Sequence, residues 1–201
     1  MTTWRKLRDE AAGCTRCDLY ERATQTVFGE GPARAAIVLV GEQPGDQEDK
    51  QGHPFVGPAG RVLDRALDES GLGRDDVYLT NAVKHFKWTE RGKRRIHQRP
   101  AGPEIRACGH WLTAELEIVR PRLVVLLGAI AGQAMFGSRY RVGEHQGKTG
   151  EGSLGSWHGL VVGTIHPSAV LRGPDRESRD RAYAGLVADL TTAREALASQ
   201  R

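Results

Sequence analysis

The run from Ala36 to Val40, closed by Gly41, constrains this chain more than any other stretch. Consecutive apolar, mostly β-branched residues suit a strand buried on both faces, as in a parallel sheet, rather than a half-solvated one. The next stretch has a different character. Glu42 to Arg61 mixes carboxylates, an amide, glycines and prolines around Phe55, then enters the helical spacing Val62, Leu63, Ala66, Leu67. A polar loop at the carboxyl end of a central strand is where open α/β sheets hold their ligands.

The rest of the chain alternates in the same way. Thr2 or Thr3 is placed to cap a first helix with Trp4, Leu7 and Ala11 on its inner face and Gly13 as its stop. The CTRC turn comes next, then a connecting segment from Asp18 to Arg34. A helix from about Gly60 to Ser70 leads to a strand over Val77 to Ala82, whose end carries Asn81, Lys84 and His85. His85 to Pro103 is basic and bounded by proline, which predicts a long irregular loop. A helix over about Pro103 to Val119 buries Ile105, Cys108, Leu112 and Leu116, and a strand at Leu123 to Leu127 turns through Gly128 into a helix ending near Phe136. Gly143 to Gly159 reads as a hairpin or loose connection, Leu160 to Ile165 as a strand ending at His166, and about Asp175 to Ser199 as the last helix. Strand alternating with helix predicts a three-layer α/β/α sandwich with a mainly parallel central sheet. The polar groups Glu42–Asp46, Asn81–His85 and His166–Ser168 each come just after a strand, so one rim of that sheet gathers all three.

With 201 residues and 39% hydrophobic content, the chain suits a single domain over residues 1–201. No run approaches membrane-spanning length and no charged-then-apolar leader begins at Met1, so a cytoplasmic protein with no membrane partner is expected. The net charge of +4 is modest, but positives gather in KHFKWTERGKRRIHQR, Lys84 to Arg99, interleaved with Phe86 and Trp88. Basic groups beside aromatic rings favour nucleic acid. Arg139, Arg141 and Lys148 are candidates to extend that surface. Three cysteines, two of them in a CxxC pair, point to metal or cluster ligation rather than a disulfide framework.

The segments GEQPGDQEDKQGHPFVGPAGR, TNAVKH and HPSAVLR together resemble the uracil-DNA glycosylase superfamily, closest to its family 4, iron–sulfur branch. The insert KRRIH, Lys93 to His97, resembles the UdgX type, whose members become covalently attached to uracil-bearing DNA. The resemblance implies an enzyme that flips deoxyuridine from the stack and stabilises the uracil anion as the glycosidic bond breaks. Phe55 then supplies the stacking face. Asn81 presents an acceptor and a donor to uracil N3–H and O4, and His166 donates to O2. Gln43, Gly41 and backbone N–H groups of the loop join the substrate-binding set, with Ser168, Arg95 and Arg172 toward the DNA. His97 is the implied nucleophile: its neutral imidazole captures the sugar at C1′ in place of water, and Arg94 and Arg95 favour the neutral form. Glu42 orients His97 or stabilises the transient cation, and Asp46 positions a water. The rival is a turnover family 4 glycosylase in which His97 contacts phosphate. Family 4 enzymes hold a 4Fe–4S cluster on four cysteines. Here His85 stands where that pattern has cysteine, so Cys14, Cys17, His85 and Cys108 form the implied set. Zinc is the alternative metal, and His110 or His53 the alternative fourth ligand. The expected partner is uracil-containing DNA, single strands included, acted on by a monomer.

Overall fold

The computed structural model describes residues 3–199. Thr3 caps the first helix, α1 (Trp4–Ala12), by accepting the Lys6 N–H, whereas Thr2 and Met1 lie outside the described residues. The next elements are β1 (Ile37–Gly41), α2 (Asp46–Gln51), α3 (Pro58–Ser70) and β2 (Val77–Asn81). Then come β3 (Trp88–Arg91), β4 (Arg94–His97), α4 (Gly102–Val119), β5 (Leu123–Leu127) and α5 (Ala129–Phe136). The chain continues through α6 (Val142–His145), β6 (Thr149–Leu154), β7 (Trp157–Thr164), α7 (Pro167–Leu171) and α8 (Arg176–Ala198).

Five strands form one sheet in the order β2-β1-β5-β7-β6, parallel except for β6, which is antiparallel to β7. Alternation along the same strands fills both faces. Val38, Val40, Val124 and Leu126 pack with Leu7 and Ala11 of α1 and Leu112 and Leu116 of α4. Ile37, Leu39, Val125 and Leu127 pack with Leu63 and Leu67 of α3 and Leu186 and Leu190 of α8. The period of two in a strand therefore makes the three-layer α/β/α sandwich expected from the apolar runs. From β1 the chain moves out to β2 on one side, and β5 lies on the other. The carboxyl end of β1 is thus the crevice where strand order reverses.

Three local expectations are corrected. His85 to Pro103 is not irregular: β3 and β4 pair as a hairpin, Trp88 opposite His97 and Arg91 opposite Arg94, around Gly92 at φ +60°. Its exposed strands lack an apolar face, so periodicity could not reveal them. The Glu42–Arg61 loop contains α2, closed by Gly52 in the left-handed region. The strand assigned to Leu160–Ile165 begins at Trp157, as the second arm of a hairpin with β6. Among the described residues, no helix is long and apolar enough to cross a membrane.

Candidate active site

The loop after β1, the end of β2, the tip of β4 and the start of α7 enclose a cleft of about 560 Å3, lined by Glu42, Phe55, Asn81, His97, His166 and Leu171 among others. Gly41 lies against two of the lining side chains. A Cβ there would lie 2.3 Å from Asn81 Oδ1 and 2.6 Å from Phe55 Cζ, so only glycine lets amide and ring approach together. Phe55 is buried, its ring 6.3 Å from that of His166 and inclined by 28°. Asn81 is also buried, and Lys84 Nζ donates to its backbone carbonyl at 2.7 Å. Lys84 is itself wholly buried, 2.5 Å from Glu115 Oε2.

His166 caps α7. Its Nδ1 accepts the Ser168 N–H at 3.1 Å and lies 2.8 Å from Ser168 Oγ. The neutral ring therefore carries its proton on Nε2. Burial, then the charges of Arg172 and His97, push its pKa down to about 4, so it is neutral at pH 7. His97, the last residue of β4, has Nε2 3.5 Å from Glu42 Oε1. Burial, helped by Arg172, lowers its pKa below the usual histidine range. Burial raises that of Glu42, against the pull of Arg99 and Arg172.

Sequence reasoning assigns three residues to substrate or water whose polar groups the structure engages elsewhere. Gln43 Nε2 donates to the carbonyls of Lys87 (3.2 Å) and Gln98 (3.0 Å), and its Oε1 accepts the Lys87 N–H at 3.1 Å. Both N–H groups of that amide are engaged, which ties down the root of the hairpin, while the residue also lines the cleft. Arg95 turns to α2, with Nε 2.6 Å from Asp46 Oδ1 and Nη1 2.6 Å from Asp49 Oδ2. Asp46 still lines the cleft, but it also pairs with Lys50 at 2.6 Å. Several contributors went unnoticed in the sequence. Buried Glu48 accepts the N–H groups of Gly45 (3.0 Å) and Gly57 (2.7 Å), joining the starts of α2 and α3 beneath the cleft. Leu171 is 47% exposed on the cleft wall, an apolar side chain facing water. The acidic run DQED and the solvent-facing Leu in HPSAVLR were the available signals.

Away from the cleft, Cys14 and Cys108 are buried and Cys17 partly so. Trp111 Nε1 donates to Cys14 Sγ at 3.1 Å, and the Lys84 N–H donates to Cys108 Sγ at 3.2 Å. Burial pushes the Cys108 thiol up to about 11, and the neighbouring Cys17 and Cys14 add to the rise. His85 Nε2 lies 2.9 Å from Thr26 Oγ1. Among the described residues, no three His, Cys, Asp or Glu side chains converge closely enough to hold a metal ion as they stand. The donor types nevertheless suit a thiolate-bound group: three cysteine sulfurs, two of them already receiving N–H hydrogen bonds.

A family model described as the uracil DNA glycosylase superfamily matches residues 28–191. The type-4 uracil-DNA glycosylase of Thermotoga maritima is 40% identical over 169 residues, 83% of this chain and 82% of the relative. That of Archaeoglobus fulgidus is 37% identical, over 82% of this chain and 81% of the relative. A type-5 uracil-DNA glycosylase from Thermus thermophilus is 34% identical, over 69% and 70%.

Proposed function

The chain belongs to the uracil-DNA glycosylase superfamily, and from that premise we propose that it excises uracil from DNA and captures the sugar covalently through His97. A flipped deoxyuridine enters the cleft, stacks on Phe55 and pairs with the Asn81 amide. As the C1′–N1 bond breaks, its electron pair leaves with uracil, and the Nε2–H of neutral His166 donates to O2, where negative charge develops. The lone-pair nitrogen of neutral His97 then bonds to C1′. Glu42 offsets the charge of the transient cation and of the alkylated ring, which sheds its remaining N–H proton to solvent. Imidazole is a poor leaving group, so the adduct persists and the protein acts once. Ser168 and Arg172 contact the DNA backbone, as do the exposed Arg91, Lys93 and Arg94 of the hairpin tip. Leu171 is the apolar wedge filling the vacated stack.

One observation carries this reading: His97 lines the same cleft as Phe55, Asn81 and His166, beside Glu42, with its pKa lowered toward the nucleophilic form. Substituting His97→Ser is the test. The variant should still release uracil and form no denaturation-resistant adduct; adduct formation at the wild-type rate would exclude His97 as nucleophile. Turnover is the second reading, favoured by the 47% exposure of the His97 side chain, which lets water share the cleft.

We further propose that Cys14, Cys17 and Cys108, with His85 as the fourth ligand, hold a 4Fe–4S cluster, zinc being the alternative. When bound, such a group acts as a structural staple. Its ligands would tie the chain after α1 and the turn after β2 to α4. The protein is proposed to act as a single-domain monomer on uracil-containing DNA, single strands included, in the cytoplasm.

A further inference from the structure

Phe55 has φ +57°, and Arg120 is the other non-glycine residue with positive φ among the described residues. A bulky side chain in the left-handed region is strained, and such strain persists only where the surroundings over-determine it. Here the surroundings can be named. Arg74, in the short 3-10 turn before β2, donates from Nη2 to the Pro54 carbonyl at 2.9 Å and from Nη1 to the Phe55 carbonyl at 3.2 Å. Asp64 of α3 orients the same guanidinium, with its Oδ1 2.5 Å from Nη1. Gly60, in the first turns of α3, closes the other side. A Cβ on it would lie 1.8 Å from the Phe55 carbonyl oxygen and 2.3 Å from the carbonyl carbon, so any side chain there would expel the turn. Arg74 does not line the cleft, whereas Phe55 does.

We propose that Arg74 is the positioning residue for the base-stacking ring: its fork, aimed by Asp64, holds the Pro54–Phe55 backbone in the left-handed turn that presents Phe55 to the flipped base. This rests on the stacking role of Phe55 proposed above. A planar fork spanning two successive carbonyls and a carboxylate is geometry that the single ammonium of lysine cannot reproduce. Arg74→Lys therefore tests the fork and not merely the charge. Loss of the clamp lets the turn relax and the ring swing from its stacking angle, with no group removed from the cleft.

The experiment is a double-mutant cycle on single-turnover loss of uracil from a uracil-containing single-stranded oligonucleotide, counting adduct and alkali-labile strand together. Arg74→Met and Arg74→Lys should each slow uracil loss by about tenfold, as relaxation of one strained residue allows. Phe55→Ala should slow it as well. The double variant Phe55→Ala/Arg74→Met should match Phe55→Ala to within about twofold, because a residue acting only through the ring has nothing left to position. If Arg74→Met slows the Phe55→Ala protein by the same factor as the wild type, Arg74 acts elsewhere and the proposal fails. Uracil loss at the wild-type rate in both Arg74 variants, alongside a slow Phe55→Ala, also overturns it while leaving the stacking role intact. A Phe55→Ala protein as fast as wild type removes the stacking role and the positioning role together. Thermal melts on the same samples exclude a general loosening, since unfolding would penalise the double variant beyond Phe55→Ala.

Discussion

Arg95→Met should separate capture from excision. Arg95 and His97 are two apart on β4, so their side chains share one face of the hairpin, while Arg94 and Ile96 point to solvent. The two ion pairs from Arg95 to α2 draw that face toward the cleft. Methionine keeps an aliphatic stem of similar length and removes the guanidinium, whose carbon lies 5.3 Å from the Phe86 ring centroid and 5.4 Å from that of Trp88. Breaking a buried pair by deleting one partner costs roughly 3–5 kcal/mol. Asp49, fully buried, keeps hydrogen bonds from the Thr24 N–H (2.9 Å) and hydroxyl (2.6 Å). The net loss is therefore nearer ~2 kcal/mol, about thirtyfold in the docking equilibrium of the hairpin. A two-stranded hairpin has little stability of its own, so the loss is local and the body of the fold stays intact. In single-turnover reactions with a uracil-containing oligonucleotide, adduct bands on denaturing gels should form up to about thirtyfold more slowly. Total uracil loss should fall far less, because Phe55, Asn81 and His166 stand on other elements, and alkali-labile abasic strand should appear in place of adduct. Adduct at the wild-type rate, or equal loss of adduct and excision with an unchanged melting temperature, would refute this reasoning.

Three further outcomes are expected from the geometry. The rate of adduct formation should be flat above neutral pH and fall as the medium is acidified below 6.5. Burial and Arg172 depress the pKa of His97 below 6.5, so its neutral form is lost only on acidification beneath that value, and burial lifts that of Glu42 above 4.5, so its carboxylate is lost earlier in the same descent; Glu42 and His166 both face His97. A rate still climbing between pH 7 and 8, read on the same gels, would mean that His97 is held protonated. Lys84→Met strands Glu115 in the interior without its cation, at a cost of about 3 kcal/mol or a fall of roughly 6–12 °C in melting temperature; a shift below about 2 °C by calorimetry would contradict that. Purified protein should absorb broadly near ~400 nm and bleach on iron chelation with a drop in melting temperature, as a structural thiolate-ligated cluster requires; a colourless, zinc-containing preparation made without oxidative loss would refute iron.

The parts legible in the sequence were those whose partners are generic. Val38 to Val40 and Leu123 to Leu127 announce strands buried on both faces because any apolar neighbour satisfies them, and α4 and α8 declare a core stripe by spacing alone. The β3–β4 hairpin was illegible for the opposite reason. It is held by the contacts of Arg95 and Gln43 with residues more than forty positions away in sequence, and nothing local says that these polar groups are already committed. The same cause hides the part that Gln43, which also lines the cleft, and Arg95 play in supporting the hairpin. Phe55, Asn81, His97 and His166 were singled out by motif, and the fold gathers them in one cleft. The left-handed turn at Phe55 and the arginine behind it leave no mark in composition or periodicity.

The most direct measurement mixes the protein with a uracil-containing single-stranded oligonucleotide and with its thymine control, denatures both in hot detergent, and maps any cross-linked peptide by mass spectrometry. A uracil-dependent species at the summed mass, with the deoxyribose on His97, is expected. A strand cleaved by alkali at the former uracil with no such species, or a cross-link on any other residue, would contradict capture through His97.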